Sequence, residues 1–202
     1  MNYRWQETIK ILLPGFYILL YLGGGYFMEN YQLDKGVCET ISKLSTLLIV
    51  GMFFVAFILG YLNEIVSGGI EYMMYKVGIP RPSNLILNSR YKRFSVVKIS
   101  DLKSKLGISG IQSIDNGVSS TKLALAKQTI NLDTCQEFYY QSILARDLFF
   151  AHVIASIGLG FIVDYTWLLF GINLVLSLLF CWQWWKMNLF YVKRVFVEYL
   201  EK

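Results

Sequence analysis

Residues 45–62 read STLLIVGMFFVAFILGYL, an uncharged run made mostly of Leu, Ile, Val and Phe. A helix needs about 17–20 such residues to cross the ~30 Å hydrocarbon core of a bilayer. Three further stretches share the pattern. Residues 11–27 and 167–185 carry no charge, and residues 148–163 carry one ionisable group, His152. The first and third of the four are short, so flanking aromatics are expected to complete the crossing. Trp5, Tyr26, Tyr31, Tyr165, Trp182, Trp184 and Trp185 stand where rings meet lipid with one face and water with a polar edge. Composition agrees: 55 % of the residues are apolar and only 16 % charged, against about 25 % in an ordinary soluble domain. Together these features predict an integral membrane protein. The first apolar run carries Pro14-Gly15 and ends in GGGYF without a small-x-small cleavage site, so it reads as a retained span.

The spans divide the chain into a first hairpin (1–66, spans 11–27 and 45–62), an insert (67–147), a second hairpin (148–187, spans 148–163 and 167–185) and a terminal helix (188–202). The expected fold is all-α, a bundle of four transmembrane helices with a small helical domain between spans two and three. Orientation follows from the cations. If both termini and the insert are cytoplasmic, 17 of the 19 Lys and Arg lie inside, with Arg4, Lys10, Lys76, Arg81, Arg146, Lys186, Lys193 and Arg194 closest to the bilayer. That makes the chain a multi-pass protein of the plasma (inner) membrane with both termini cytoplasmic. Cys38, Cys135 and Cys181 then fall outside, inside and within a span, which leaves no disulfide pair, and no two of them have metal-ligand spacing.

Local signals place the helices of the insert. The second helix is expected to run on through NEIVSGGIEYMMYKVG until Gly78, Pro80 and Pro82 stop it. Ser100-Asp101 precede LKSKL, and Gly107 ends it. Ser119-Ser120-Thr121 open KLALAKQTI. Thr134 to Glu137 has the S/T-x-x-E form of a capping box. From Thr134 nothing breaks the pattern until Gly158 and Gly160, so span three is the continuation of one long helix. The stretch 94–100, FSVVKIS, is expected to be a strand or an extended linker.

Residues able to carry chemistry are few. His152 is an ionisable group inside a span, a placement that usually faces other helices or a water path; a hydrogen bond to Ser156 one turn on is one expectation, a pore lining or protonation switch another. Ala151-x3-Ala155 and Ser156-x3-Gly160 put small groups on adjoining faces, which suits close packing either within the bundle or between subunits. Asn173 is a lone polar residue that should seek a partner helix. Arg146 and Asp147 are interfacial charges at the threshold of span three, with Arg146 reaching headgroup phosphates. Glu64 and Glu71 are seven apart on one helical face, as a cation-attracting vestibule or as partners of nearby Lys or Arg. Arg81, Arg90, Lys92, Arg93 and Lys98, interleaved with Tyr91 and Phe94, form a basic patch for anionic lipid, nucleotide, RNA or a protein partner. Walker, GxGxxG, HExxH, GxSxG and CxxC motifs are missing, and no inverted repeat marks a secondary transporter. No catalytic residue, metal or cofactor is expected.

The heptapeptide RDLFFAH, Arg146 to His152, resembles the R-x(4–6)-H motif of HEPN-type ribonucleases. With its span count and basic insert, the chain also looks like the small multi-span proteins of prokaryotic antiviral operons. These include four-span effectors and the membrane accessory proteins of type VI-B CRISPR loci. The resemblance implies a membrane-embedded effector or accessory protein, expected to act as a homo-oligomer, that turns a cytoplasmic cue into membrane perturbation. The alternatives are a non-catalytic anchor or assembly subunit of a larger complex, or a membrane-tethered ribonuclease using Arg146 and His152. The sequence weighs against the last, because Leu148, Phe149 and Phe150 carry that helix into lipid.

Overall fold

A computed structural model describes residues 3–30, 45–88, 96–131, 133–162 and 167–202. They form seven helices and no strand: α1 Tyr3–Asn30, α2 Ser45–Lys76, α3 Pro82–Leu87, α4 Val96–Lys105, α5 Asn116–Thr129, α6 Asp133–Leu159 and α7 Trp167–Glu201. Four of them, α1, α2, α6 and α7, are long and apolar enough to cross a membrane. At 1.5 Å per residue, the 35 residues of α7 measure about 52 Å, well beyond a hydrocarbon core.

The chain divides into two compact units. A span unit comprises Met1–Gly68 and Leu144–Trp182, and an insert unit comprises Gly69–Ile143 and Gln183–Lys202. The terminal segment 188–202, expected as a cytoplasmic helix continuing from span four, is the last part of α7 and belongs to the compact body of the insert.

The span unit leaves its apolar side chains uncovered. Along α2 the residues Leu47, Ile49, Val50, Phe53, Phe54, Phe57 and Ile58 are all exposed, and only 17 % of the α2 span is buried. Such a face is stable against hydrocarbon and not against water. What holds the helices together is close approach. An ideal Cβ on Gly15 of α1 would sit 1.7 Å from the carbonyl oxygen of Ala56, and one on Gly60 of α2 would sit 1.8 Å from that of Ile11. The two backbones touch where side chains are missing, which is how packing replaces hydrophobicity in lipid.

The insert unit is built the other way round. Ile86, Leu87, Leu102, Ile114, Val195 and Phe196 form an apolar centre that excludes solvent. Three helices are stopped or started by identifiable chemistry. α2 ends at Lys76, and Gly78 takes φ +108°, a conformation open to glycine. Pro82 does not stop a helix; it opens α3, where its missing N–H costs nothing. Asp115 caps α5 by accepting the Val118 N–H at 2.7 Å, so that helix begins ahead of the expected Ser119. Inside it the Ser119 hydroxyl donates back to the Asn116 carbonyl instead. The described part of the 94–100 stretch is neither strand nor linker. Val96–Ser100 is the start of α4, because Ile99, Leu102 and Leu106 form a helical stripe that the core buries. Ser100 and Asp101 consequently lie inside the helix they were expected to precede.

Polar side chains then tie down the irregular backbone. The Asn84 and Asn88 amides both donate to the Ile114 carbonyl, at 2.7 and 2.8 Å, and Asn88 accepts the Ile114 N–H at 2.9 Å. At the C-terminus Tyr199 donates to the Lys105 carbonyl at 3.2 Å and Lys202 to that of Thr129 at 2.7 Å. The Thr134 side chain of the expected capping box lies outside the described residues.

Candidate functional site

Three helices of the span unit each place a polar pair four residues apart on one face: Tyr17 and Tyr21 on α1, His152 and Ser156 on α6, Asn173 and Ser177 on α7. In lipid such groups have no water to turn to, so they meet one another. His152 is 0 % exposed. Its Nδ1 lies 2.6 Å from the Tyr17 hydroxyl, and its Nε2 lies 3.2 Å from the Asn173 backbone carbonyl and 3.5 Å from the Ser156 hydroxyl. A carbonyl can only accept, so Nε2 carries a hydrogen, while Nδ1 bonds the Tyr17 hydroxyl. Both ring nitrogens are thereby engaged and the ring is fixed in one orientation. Aromatic rings close it in, with centroids of Tyr17, Tyr21 and Phe180 at 5.8, 5.7 and 5.4 Å.

Asn173 is the hub. Its Oδ1 accepts from Tyr21 and, at 2.9 Å, from Ser156; its Nδ2 donates to the Leu169 carbonyl at 2.9 Å, and its own carbonyl accepts from Ser177 at 2.8 Å. The expected contact between His152 and Ser156 exists but is the longest in the set. Tyr17 and Tyr21, absent from the sequence-based candidates, provide the stronger links. Their signal was present: two tyrosines one turn apart in the middle of a charge-free span, away from either interface. On the other side of Ser156 and Asn173, a groove of about 370 Å³ is lined by these two with Ile157, Gly160, Phe170 and Ser177.

Asp147 forms a second node. Expected at an interface, it is 0 % exposed. The Ser67 hydroxyl donates to its Oδ1 at 2.5 Å, the Arg146 Nε donates to the same oxygen at 2.9 Å, and the Asn63 amide donates to its backbone carbonyl at 2.9 Å. Arg146 thus bonds its neighbour through Nε, a charge-assisted contact beside the buried carboxylate. Glu64 pairs with Lys10 at 2.7 Å. Glu71 accepts from Tyr75 at 3.1 Å and from Asn188 at 3.5 Å. Both acids are used in packing, so the vestibule is not formed by free carboxylates.

The small residues of α6 divide. Ala151 and Ala155 are buried against Ile18 of α1, and Leu22 crowds the position a Gly158 side chain would take. Gly160 lies exposed in the turn that ends the helix. The tightest small-residue contact is instead Gly15 with Ala56-x3-Gly60, a pattern of the same type in span two. Of the basic patch, Arg81 is built into the insert unit. Its Nη1 donates to Ser120 at 2.9 Å, its N–H to Asn116 at 2.8 Å, and its guanidinium lies 4.7 Å from the Tyr75 ring centre. Lys98 is exposed, and Arg90, Lys92 and Arg93 lie outside the described residues. Among the described residues no cluster of three His, Cys, Asp or Glu could hold a metal ion. Comparison with protein-family models, with curated proteins and with solved structures returns no match.

Proposed function

We propose that the chain is a non-enzymatic membrane effector or accessory protein, in which the insert unit takes up a cytoplasmic cue and the span bundle delivers the response. The sealed environment of His152 carries this reading. Both ring nitrogens are engaged inside the bundle, and Arg146 is committed to Asp147. A ribonuclease would need both side chains turned to one phosphate and open to a polymer, which makes the nuclease the weakest option. The helices α2, α6 and α7 each supply residues to both units, which favours a device that converts ligand binding into helix movement. The cation distribution supports cytoplasmic termini in a plasma membrane. The antiviral setting draws on the resemblance in size, span count and the Arg146–His152 pair. A second reading, an anchor or assembly subunit, is favoured by one observation: His152, Ser156 and Asn173 bond to groups of the same chain, while the exterior of the bundle is apolar.

Depolarisation separates the two. Produced in a bacterial host and followed with a potential-sensitive dye, the wild-type chain should depolarise the inner membrane. Asn173→Leu, which removes the hub without adding charge to the span, should lower the response several-fold at equal membrane abundance. A wild-type signal no greater than that of an empty vector would eliminate the effector reading and leave the anchor.

A further inference from the structure

The insert unit contains a cavity of about 310 Å³ that none of the residues discussed above accounts for. It is lined by Lys127 of α5, by Cys135, Gln136, Tyr139 and Tyr140 of α6, and by Tyr191 of α7. The Lys127 Nζ lies 4.9 Å from the Tyr191 ring centre and 5.9 Å from that of Tyr139. Those two rings are themselves in contact, with centroids 5.3 Å apart. No carboxylate among the described residues pairs with Lys127, although Lys10, in a comparably sheltered place, has Glu64. Burial pushes the Lys127 amine below its usual 10.5, with the neighbouring Cys135 opposing the change. The Gln136 Oε1 is buried and accepts no hydrogen bond from the described residues. The site thus offers a partly buried amine over aromatic rings with no carboxylate beside it, and an acceptor, Gln136 Oε1, with no donor.

We propose that this cavity binds a small organic anion, whose phosphate or carboxylate meets Lys127 and whose N–H or O–H donates to Gln136. An anion would return to the amine the charge stabilisation that burial removes. The volume lies at the lower end of small-molecule pockets, about 300–1,000 Å³, which suits a nucleoside monophosphate or an aromatic acid and excludes a folded partner. The lining residues all belong to the insert unit, so the proposal holds whether or not the bundle depolarises membranes.

Thermal unfolding and calorimetry on the full chain in detergent provide the test. Adenosine 5′-monophosphate is the phosphate probe, 4-hydroxybenzoate the carboxylate probe, and adenosine the uncharged control. Saturable binding of either anion, with adenosine at least tenfold weaker, is the expected result; the preferred probe tells phosphate from carboxylate. Lys127→Met keeps the aliphatic stem against Tyr191 and removes the charge, and should lose about ten- to a hundredfold in affinity. Lys127→Arg should bind within a few-fold of wild type, which separates loss of charge from loss of fold. No saturable binding of either anion to folded protein, or equal affinity in wild type and Lys127→Met, overturns the proposal.

Discussion

The two units invert one another. In the span unit the exposed surface is Leu, Ile, Val and Phe, and the buried residues include His152, Asp147, Asn63 and Asn173. In the insert unit the buried residues are Leu102, Ile114, Val195 and Phe196, while Lys98, Asp101, Lys105 and Glu137 are exposed. The difference is one of solvent. Water drives apolar groups together and hydrates the charges that stay outside. Lipid does neither, so packing and internal hydrogen bonds are what remain to hold helices in place. A buried leucine in one unit and a buried asparagine in the other answer the same demand.

That contrast can be broken by substitution. The largest effect is expected where the span helices touch. Gly60→Leu would drive a side chain into the Ile11 backbone and should cost at least about 3 kcal/mol, the top of the overpacking range. Detergent-resistant folded protein should largely disappear from gel filtration; a normal elution profile would mean that α1 and α2 are not held at that distance.

Next comes a matched pair of phenylalanines. Phe196, at 0 % exposure in the insert core, should cost about 3–5 kcal/mol when truncated to alanine. Phe54, at 67 % exposure on α2, should cost about 0.5 kcal/mol or less, because lipid replaces the ring contacts it loses. Unfolding by titration with a denaturing detergent measures both, and equal costs would remove the distinction between the units. The smallest effect is a pH slope. The Lys127 amine titrates below 10.5 in the folded state, so the unfolded state binds more protons in the alkaline interval between the two values. Stability should therefore rise with pH across that interval relative to Lys127→Met; a difference that falls or stays flat there would contradict the burial of the amine.

Much of the span unit is legible without coordinates. The lack of charge in residues 45–62 and 167–185 is a one-dimensional property, and the bilayer imposes its length scale on any such run. The need of His152 and Asn173 for partner helices is equally readable, because an isolated polar group in a span has nowhere else to go. The identity of those partners is not. Tyr17 lies 135 residues from His152, and Tyr21 lies 152 residues from Asn173. Their mid-span position marks them as polar rings away from the interfaces, but nothing local says which polar group each one meets. Arg146 shows the same limit: a long cation near a span end can reach outward, and only the placement of Ser67 and Asn63 around Asp147 turns it inward. In the insert unit the helix starts moved for local reasons, as when the Asp115 cap outcompeted a run of hydroxyls, whereas the joining of 183–202 to that unit depended on a distant core.

The sequence by itself determined which segments are apolar, how long they are and where helices must stop, since these depend on solvent transfer and on the backbone preferences of neighbouring residues. Only the tertiary structure decided which polar group meets which, that Gly15 and Gly60 let two backbones touch, and that Lys127 lies over the rings of two tyrosines. Hydrogen bonds and van der Waals contacts act over a few ångströms of space and carry no record of separation along the chain.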